Sequence, residues 1–364
     1  MKRIVYVISS LKKTGPTLVL FNLVKNLDLN KFNPVIITLS PERSDTMIEE
    51  FKKLQVNIFC MNLNRINGFI FGGFKIKKII KHINPDIVHS HCFRSSLLSG
   101  LFLHEYKRIV TVHCDYKTDF IMAYGKFTGY IMYLLMHYSL KKIKNNICCS
   151  KMLADMLNYR YHNMNFKYID NGTDTEKFCT IDNKNTLRQK LSLPCDKKIF
   201  IWIGAFIARK SPETLVKSII LSKQNNIFFC FCGEGKLKEK CKNMLSGNQN
   251  VLFTGSVDNV DEYLKASDYY ISTSFSEGLP NSVIEAMACG LPVILSDIVQ
   301  HRYILKNADC YYFPPGNSKD LYNKITAVSN SDYEKCSKES VRIIQNNFSA
   351  SVMSRKYQDY YLTL

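Results

Sequence analysis

The chain has 364 residues, and at about 100–200 residues per domain that length excludes one small module and makes two domains the expected plan. Hydrophobic residues are 46% and charged residues 22%, which excludes disordered, collagen-like and coiled-coil chains. Lysine and arginine number 49 against 31 acidic residues, a formal net charge of +18, and a surplus of that size implies a polyanionic partner: phosphates, nucleic acid or an acidic membrane. The surplus is uneven, with 26 basic and 13 acidic side chains in residues 1–180 (net +13) and 23 and 18 in residues 181–364 (net +5).

Thirteen cysteines lie between Cys60 and Cys336 without a Cys-x-x-Cys pair, so a reducing cytosol is the expected compartment and no zinc site is predicted. The apolar run that opens the chain breaks within about six residues and is followed by Lys12-Lys13, which reads as a buried first strand rather than a signal peptide. Short apolar runs then recur, each followed by a turn signal and a segment of helical period, the pattern of a parallel sheet covered by helices. The first set is 4–8, 35–39, 86–89, 108–112, 147–150 and 167–169. The second is 199–203, 227–232, 251–254, 269–273 and 292–295, with 311–313 as a last edge. The polar stretch 180–198 between them is expected to be the hinge, giving domains over 1–180 and 181–346. The longest apolar stretch, 130–140, is interrupted by His137 and falls short of the ~20 residues of a spanning helix.

In doubly wound sheets ligands sit outside the carboxyl ends of the strands, so the chemistry is expected at strand-to-helix junctions and in a cleft between the two domains. The first junction carries Lys12-Lys13-Thr14-Gly15-Pro16 before a helix predicted over 17–27. Free N–H groups at a helix start suit a phosphate, although a flexible loop punctuated by Gly-Pro reads equally well. His113 falls at the end of its strand, before Cys114-Asp115. His89 and His91 alternate onto one face, which suits a metal or, with no third ligand apparent, a hydrogen-bonding role. In the second half, Gly204 begins a turn that runs through Arg209-Lys210-Ser211-Pro212. Ser211 can cap a helix with Pro212 at its first position, leaving two cations at a helix start, where an anion such as a diphosphate would compensate them. The most informative segment runs from Ser274 through Glu277-Gly278-Leu279-Pro280-Asn281 to Glu285 and on to Asp297. Two carboxylates eight residues apart flank bare N–H groups, with Glu285 expected in the first helical turn. That combination suits a polyhydroxylated, phosphorylated ligand.

These segments resemble the family-4 glycosyltransferases over nearly the whole chain. Glu277 and Glu285 match that family's Glu-x7-Glu signature. Supporting matches are Pro85-Asp86-Ile87-Val88-His89-Ser90-His91, Thr111-Val112-His113, Cys149-Ser150, Asp170-Asn171-Gly172-Thr173-Asp174, Cys232-Gly233-Glu234-Gly235, and the run from Val251 through Asp268 to Asp297. The resemblance implies an α/β GT-B fold of two Rossmann-like doubly wound domains facing across a cleft, acceptor-binding first and donor-binding second, with a C-terminal helix at about 347–364 packing back on the first. It implies that Lys210, helped by Arg209, neutralises the donor diphosphate. Glu285 would accept from the nucleotide ribose, while Glu277 and the loop Gly278, Leu279, Pro280 and Asn281 would hold the sugar and phosphate. Gly15 would let the first loop approach the phosphate, His113 would sit beside the reacting sugar, and Gly233 and Gly235 would form a turn below the nucleobase. Gly204, Thr14, His91, Asn171 and Asp174 would shape the donor site and the acceptor side of the cleft.

Three departures bear on the donor rather than the fold: Ala205 stands where many relatives have Arg, Thr14-Gly15 replaces a Gly-Gly pair, and 298–303 lacks an acidic residue. The resemblance implies metal-independent transfer with retention, from a nucleotide-diphosphate sugar (UDP favoured, GDP the alternative) to a saccharide acceptor, lipid-diphosphate-linked in surface-polysaccharide synthesis. A sugar-nucleotide epimerase or a phosphorylase-like enzyme shares the fold. From charge alone the rival is a nucleic-acid-binding protein, but no binding module supports it, and no nucleic-acid partner is expected. Lys75–Lys81 after Phe69, Phe71 and Phe74, and Lys141–Lys144 after the aromatic-rich stretch 124–138, are expected to hold the protein on the cytoplasmic face of an anionic inner membrane, against the plainer reading of ordinary helices with lysines outward.

Overall fold

A computed structural model describes residues 1–64, 68, 71–222, 224–305, 311–328 and 333–364. It divides into two compact units, residues 1–172 with 350–364 and residues 173–349.

The first unit is built on a parallel sheet of β1 (Lys2–Ile8), β2 (Phe32–Thr38), β3 (Asn57–Cys60), β4 (Ile87–His91), β5 (Lys107–Val112), β6 (Asn145–Cys148) and β7 (Phe166–Tyr168). Their order is β3-β2-β1-β4-β5-β6-β7. Helices cover both faces, so the central strands are apolar without alternation and Ile4 to Ile8 are wholly buried. β3 was not predicted. It is an edge strand with Asn57 and Phe59 exposed, and so lacks the continuous apolar run by which its neighbours are recognised. The first helix is Gly15–Lys25, two residues earlier than expected, because Pro16 fits the opening turn of a helix, where its missing N–H costs nothing.

The second unit repeats the plan with β8 (Lys198–Ile203), β9 (Ile227–Cys232), β10 (Val251–Gly255), β11 (Tyr269–Ser272), β12 (Val293–Ser296) and β13 (Tyr311–Phe313), in the order β10-β9-β8-β11-β12-β13. Both sheets therefore reverse direction at their first strand, the Rossmann pattern that opens a crevice at the strand ends.

The units divide at Gly172/Thr173 and at Ser349/Ala350 rather than within 180–198. The polar stretch is not a linker, because its polar groups pin it to the second unit. Arg188 is buried, donating from Nε to the Ala266 carbonyl at 2.9 Å and from Nη2 to Asp268 at 2.7 Å, while Lys184 donates to the Ser267 carbonyl. The helix Ala350–Thr363 belongs to the first unit, where Tyr357 and Tyr361 are buried and Ser354 donates to the Leu23 carbonyl at 2.9 Å. Among the described residues no helix is long and apolar enough to cross a membrane.

Candidate active site

In the second unit β8 runs into a turn from Gly204 that ends in a single 3₁₀ turn, Ala208–Lys210. β11 runs into the loop 273–280. Backbone bonds tie the two loops, since Thr273 donates from Oγ1 to the Lys210 carbonyl and Phe275 N–H donates to the Arg209 carbonyl, each at 2.8 Å. Thr273 is held in turn by the Trp202 indole at 3.1 Å. This stitching sets Arg209 and Lys210 against Glu277. Lys210 Nζ lies 2.5 Å from Oε1 and Arg209 Nη1 lies 3.0 Å from Oε2, and Ser274 Oγ donates to Oε1 at 2.6 Å. Burial pushes the Glu277 carboxyl up, but the Lys210 ammonium, the Ser274 hydroxyl and the Arg209 guanidinium pull it down further, so it stays ionised below the ordinary carboxylate range.

The sequence suggested two cations waiting for an external anion. The structure corrects this, because Glu277 already compensates one of them and fixes both in place. One net positive charge remains for a ligand at the mouth of a buried ion pair. Ser211 is also corrected: it precedes Pro212–Leu221 but caps no backbone N–H, and its hydroxyl meets the Thr214 hydroxyl at 2.8 Å.

The helix after the loop spans Asn281–Ala288 with Pro280 in the capping position. Glu285 is its fifth residue and so lies beyond the first turn, one step further in than expected. The N–H groups of Gly278, Leu279 and Asn281 find no acceptor among the described residues; Asn281 is open because it begins the helix, whereas Gly278 and Leu279 lie in the loop before it. Leu279 is buried and anchors the loop in the core below. Glu285 makes no ion pair among the described residues. Burial lifts its carboxyl to about 7, with Lys177 opposing and Asp261 adding to the rise.

Gly233 and Gly235 take positive φ, +141° and +151°. A Cβ on Gly233 would strike the Gly204 carbonyl oxygen, and one on Gly235 the backbone of Phe206. Gly204 N–H donates to the Cys232 carbonyl at 3.0 Å and Phe206 N–H to the Glu234 carbonyl at 2.9 Å. Glycine is thus required here by the meeting of two backbones, which brings the cation-bearing turn against the end of β9.

In the first unit, Thr14 stands in the capping position but its hydroxyl meets Thr17 Oγ1 at 3.0 Å instead of a backbone N–H. A Cβ on Gly15 would touch nothing within 4 Å, so the fold does not require glycine at this position. Lys12 pairs with Asp45 at 2.7 Å, and Leu11 N–H is held by the Glu42 carboxylate at 3.0 Å. His91 Nδ1 lies 3.2 Å from His113 Nε2. His89 takes the hydrogen-bonding alternative, with Nδ1 2.7 Å from Tyr361 Oη and Nε2 2.8 Å from Thr111 Oγ1. Burial pushes His113 down to about 4 and His89 to about 3, and lowers His91 as well, so all three rings are neutral near pH 7.

Asn171 belongs to the first unit, with a buried Oδ1 that accepts no hydrogen bond among the described residues. Asp174 belongs to the second unit and spends its carboxylate on the N–H groups of Glu176 and Lys177 at 3.0 and 3.2 Å, the work of a turn cap. The structure therefore unites Arg209, Lys210 and Glu277; Gly204, Gly233 and Gly235; and His91 with His113. It separates Asn171 from Asp174 by unit. Sequence reasoning missed Ser274, Thr273 and His301, whose residue types carry no signal until the strand ends meet.

The paired Rossmann units and the cation–carboxylate cluster at the strand ends define a class, the GT-B glycosyltransferases. Residues 14–177 match the Glycosyltransferase Family 4 model and residues 183–349 the Glycosyl transferases group 1 model, and the chain belongs to this glycosyltransferase family. It is 26% identical to the O-antigen biosynthesis glycosyltransferase WclY of Escherichia coli, over 100% of this chain and 98% of that protein. It is 24% identical to an Escherichia coli UDP-Gal:alpha-D-GlcNAc-diphosphoundecaprenol alpha-1,3-galactosyltransferase, over 88% and 86%. The structure of HepE from Anabaena in complex with UDP-glucose superposes with a TM-score of 0.82 at 15% identity, over 100% of both chains.

Proposed function

We propose that this enzyme transfers a sugar with retention from a UDP-sugar to a lipid-diphosphate-linked saccharide, at the cytoplasmic face of the inner membrane, in the synthesis of a surface polysaccharide such as O-antigen or capsule. The observation that carries it is the Lys210–Glu277–Arg209 cluster beside the bare N–H groups of Gly278, Leu279 and Asn281. Breaking the bond between an anomeric carbon and a diphosphate builds negative charge on the leaving group, and fixed cations and N–H groups stabilise that charge without reorganising. The chain's own cations serve where other enzymes use a metal. In this mechanism the acceptor attacks the face the diphosphate leaves, through an oxocarbenium-like state, and its proton passes to the leaving phosphate. Glu285 takes the ribose hydroxyls. UDP as the nucleotide and a lipid diphosphate as the acceptor carrier are supported by the names of the galactosyltransferase relative and of the HepE complex.

Two measurements test this. Thermal stabilisation of the full chain by UDP, GDP, ADP and an oligonucleotide should show a shift with UDP, and a shift with GDP alone would move the proposal to a GDP-sugar. Lys210→Ala should abolish transfer from UDP-sugars. It also leaves Glu277 buried with one cation fewer, so Lys210→Ala/Glu277→Gln is the control that separates lost chemistry from lost stability. Turnover within a few-fold of wild type in either variant would remove Lys210 from the mechanism.

A further inference from the structure

His301 lies in the short helix Val299–Leu305 and is wholly buried. Its Nδ1 is 2.7 Å from the Ser296 carbonyl oxygen, which can only accept, so Nδ1 carries the proton. Burial pushes the ring down to about 4, so near pH 7 it is neutral and Nε2 is an acceptor. Ser272 Oγ lies 3.2 Å from Nε2 and donates to it. The ring therefore bridges the last residue of β11 to the last residue of β12.

The same residues lead to the cation cluster. Ser296 Oγ donates to the Ser274 carbonyl at 2.6 Å, and Ser274 Oγ donates to Glu277 Oε1 at 2.6 Å, the oxygen that also receives Lys210. Ser272 and Ser274 flank Thr273, which holds the Lys210 carbonyl. One imidazole thus fixes the ends of the two strands from which Glu277, and through it Lys210, are hung.

We propose that His301 is a positioning residue for glycosyl transfer, one that sets Glu277 and Lys210 for the departing diphosphate through Ser296, Ser272 and Ser274. This rests on the donor reading above. The reason it bears on rate is geometric, because a misplacement of about 1 Å at a charge-stabilising group costs up to about a hundredfold.

The test uses the full chain and follows UDP release from UDP-glucose and UDP-galactose, alongside UDP binding and melting. His301→Phe keeps the ring's shape and removes both bonds; kcat is expected to fall about ten- to a hundredfold with little change in KM. His301→Asn can again donate to the Ser296 carbonyl and is expected to recover most of that loss, whereas His301→Gln, which reaches only toward Ser272, is not. Added to Glu277→Gln, His301→Phe should cost almost nothing further, since both act through one carboxylate. Full activity in His301→Phe, equal loss in the asparagine and glutamine variants, or additive loss in the double variant would each overturn the proposal. Should the phenylalanine variant not fold, the asparagine–glutamine contrast decides alone. A wild-type chain that neither binds UDP nor releases it from either sugar would instead sink the donor reading.

Discussion

Glu277 and Glu285 are eight residues apart and chemically identical, yet their surroundings drive them to opposite states. Glu277 has two cations and a serine hydroxyl within hydrogen-bond reach and stays ionised. Glu285 has burial and no ion pair among the described residues, and its carboxyl rises to about 7. A carboxyl raised above its unfolded value stabilises the fold fully below the unfolded pKa and loses that contribution as pH rises through the folded one. The ligand-free enzyme is therefore expected to lose stability between about pH 4.5 and 7 in proportion to this group, and Glu285→Gln should remove that slope. In the proposed role the ionised form is the better ribose acceptor, so UDP affinity should climb as pH passes through 7 in wild type and stay flat in the glutamine variant. An unchanged wild-type profile in Glu285→Gln would take Glu285 out of both effects. The spacing of the two carboxylates was legible in the sequence, because one loop and one helix determine it. Their ionisation was not, because it comes from Arg209, Lys210 and Ser274 arriving at one of them and not at the other.

At the scale of elements, the basic patches divide. On the helix Gly72–Ile83 the isoleucines 76, 80 and 83 face inward, Lys75 donates to the Met61 carbonyl at 2.7 Å and Lys77 pairs with Glu105 at 2.8 Å. That leaves Lys78 and Lys81 as the outward cations there, and Phe69 lies outside the described residues. The helix Lys126–Ile143 differs. Phe127, Ile131, Leu134 and Tyr138 follow the three- and four-residue spacing of one face, and that face is exposed, Phe127 to 81%. The helix holds no acidic residue and ends in Lys141 and Lys142. Before it, Gly125 at φ +83° makes a sharp corner after the helix Tyr116–Tyr124, on which Met122 is 71% exposed. An apolar stripe closed by lysines suits a helix lying on an anionic bilayer rather than crossing it. Phe127→Ser/Leu134→Ser is expected to weaken binding to phosphatidylglycerol vesicles about tenfold or more while leaving UDP binding intact, since each apolar side chain buried in the interface contributes about 1.5–3 kcal/mol. Equal binding by wild type and variant in sedimentation would exclude this face. The lysines were visible in the sequence, but which of them were already occupied depended on Met61 and Glu105, 14 and 28 residues away.

Across the whole molecule the two units carry different acid sensitivity. The first buries His89, His91 and His113, all pushed below the usual 6.5. For a histidine so depressed, the unfolded chain takes up a proton that the folded one refuses, so stability is lost as pH falls from about 6.5 toward 4, roughly 1 kcal/mol per pH unit for each ring. In the second unit His301 acts the same way, but Glu285 acts in the opposite sense over this range. Melting followed between pH 7.5 and 5, with limited proteolysis to assign the transitions, should show the unit of residues 1–172 and 350–364 weakening first. Simultaneous loss of both units, or prior loss of residues 173–349, would contradict this.

Sequence alone determined the two parallel sheets and the family, because both-face burial writes continuous apolar runs and the glycine and carboxylate spacings are local. It also showed that the charge of +18 is mostly in the first half. Only the tertiary structure decided where the units divide, that residues 180–198 are pinned by Arg188, that Glu277 already holds Lys210 and Arg209, and that His301 joins the strands behind them. Each of these depends on groups far apart in the chain meeting in space, and hydrogen bonds such as Ser296 to Ser274, Lys210 to Glu277 and Arg188 to Asp268, which span 22, 67 and 80 positions, leave no periodic trace along a chain.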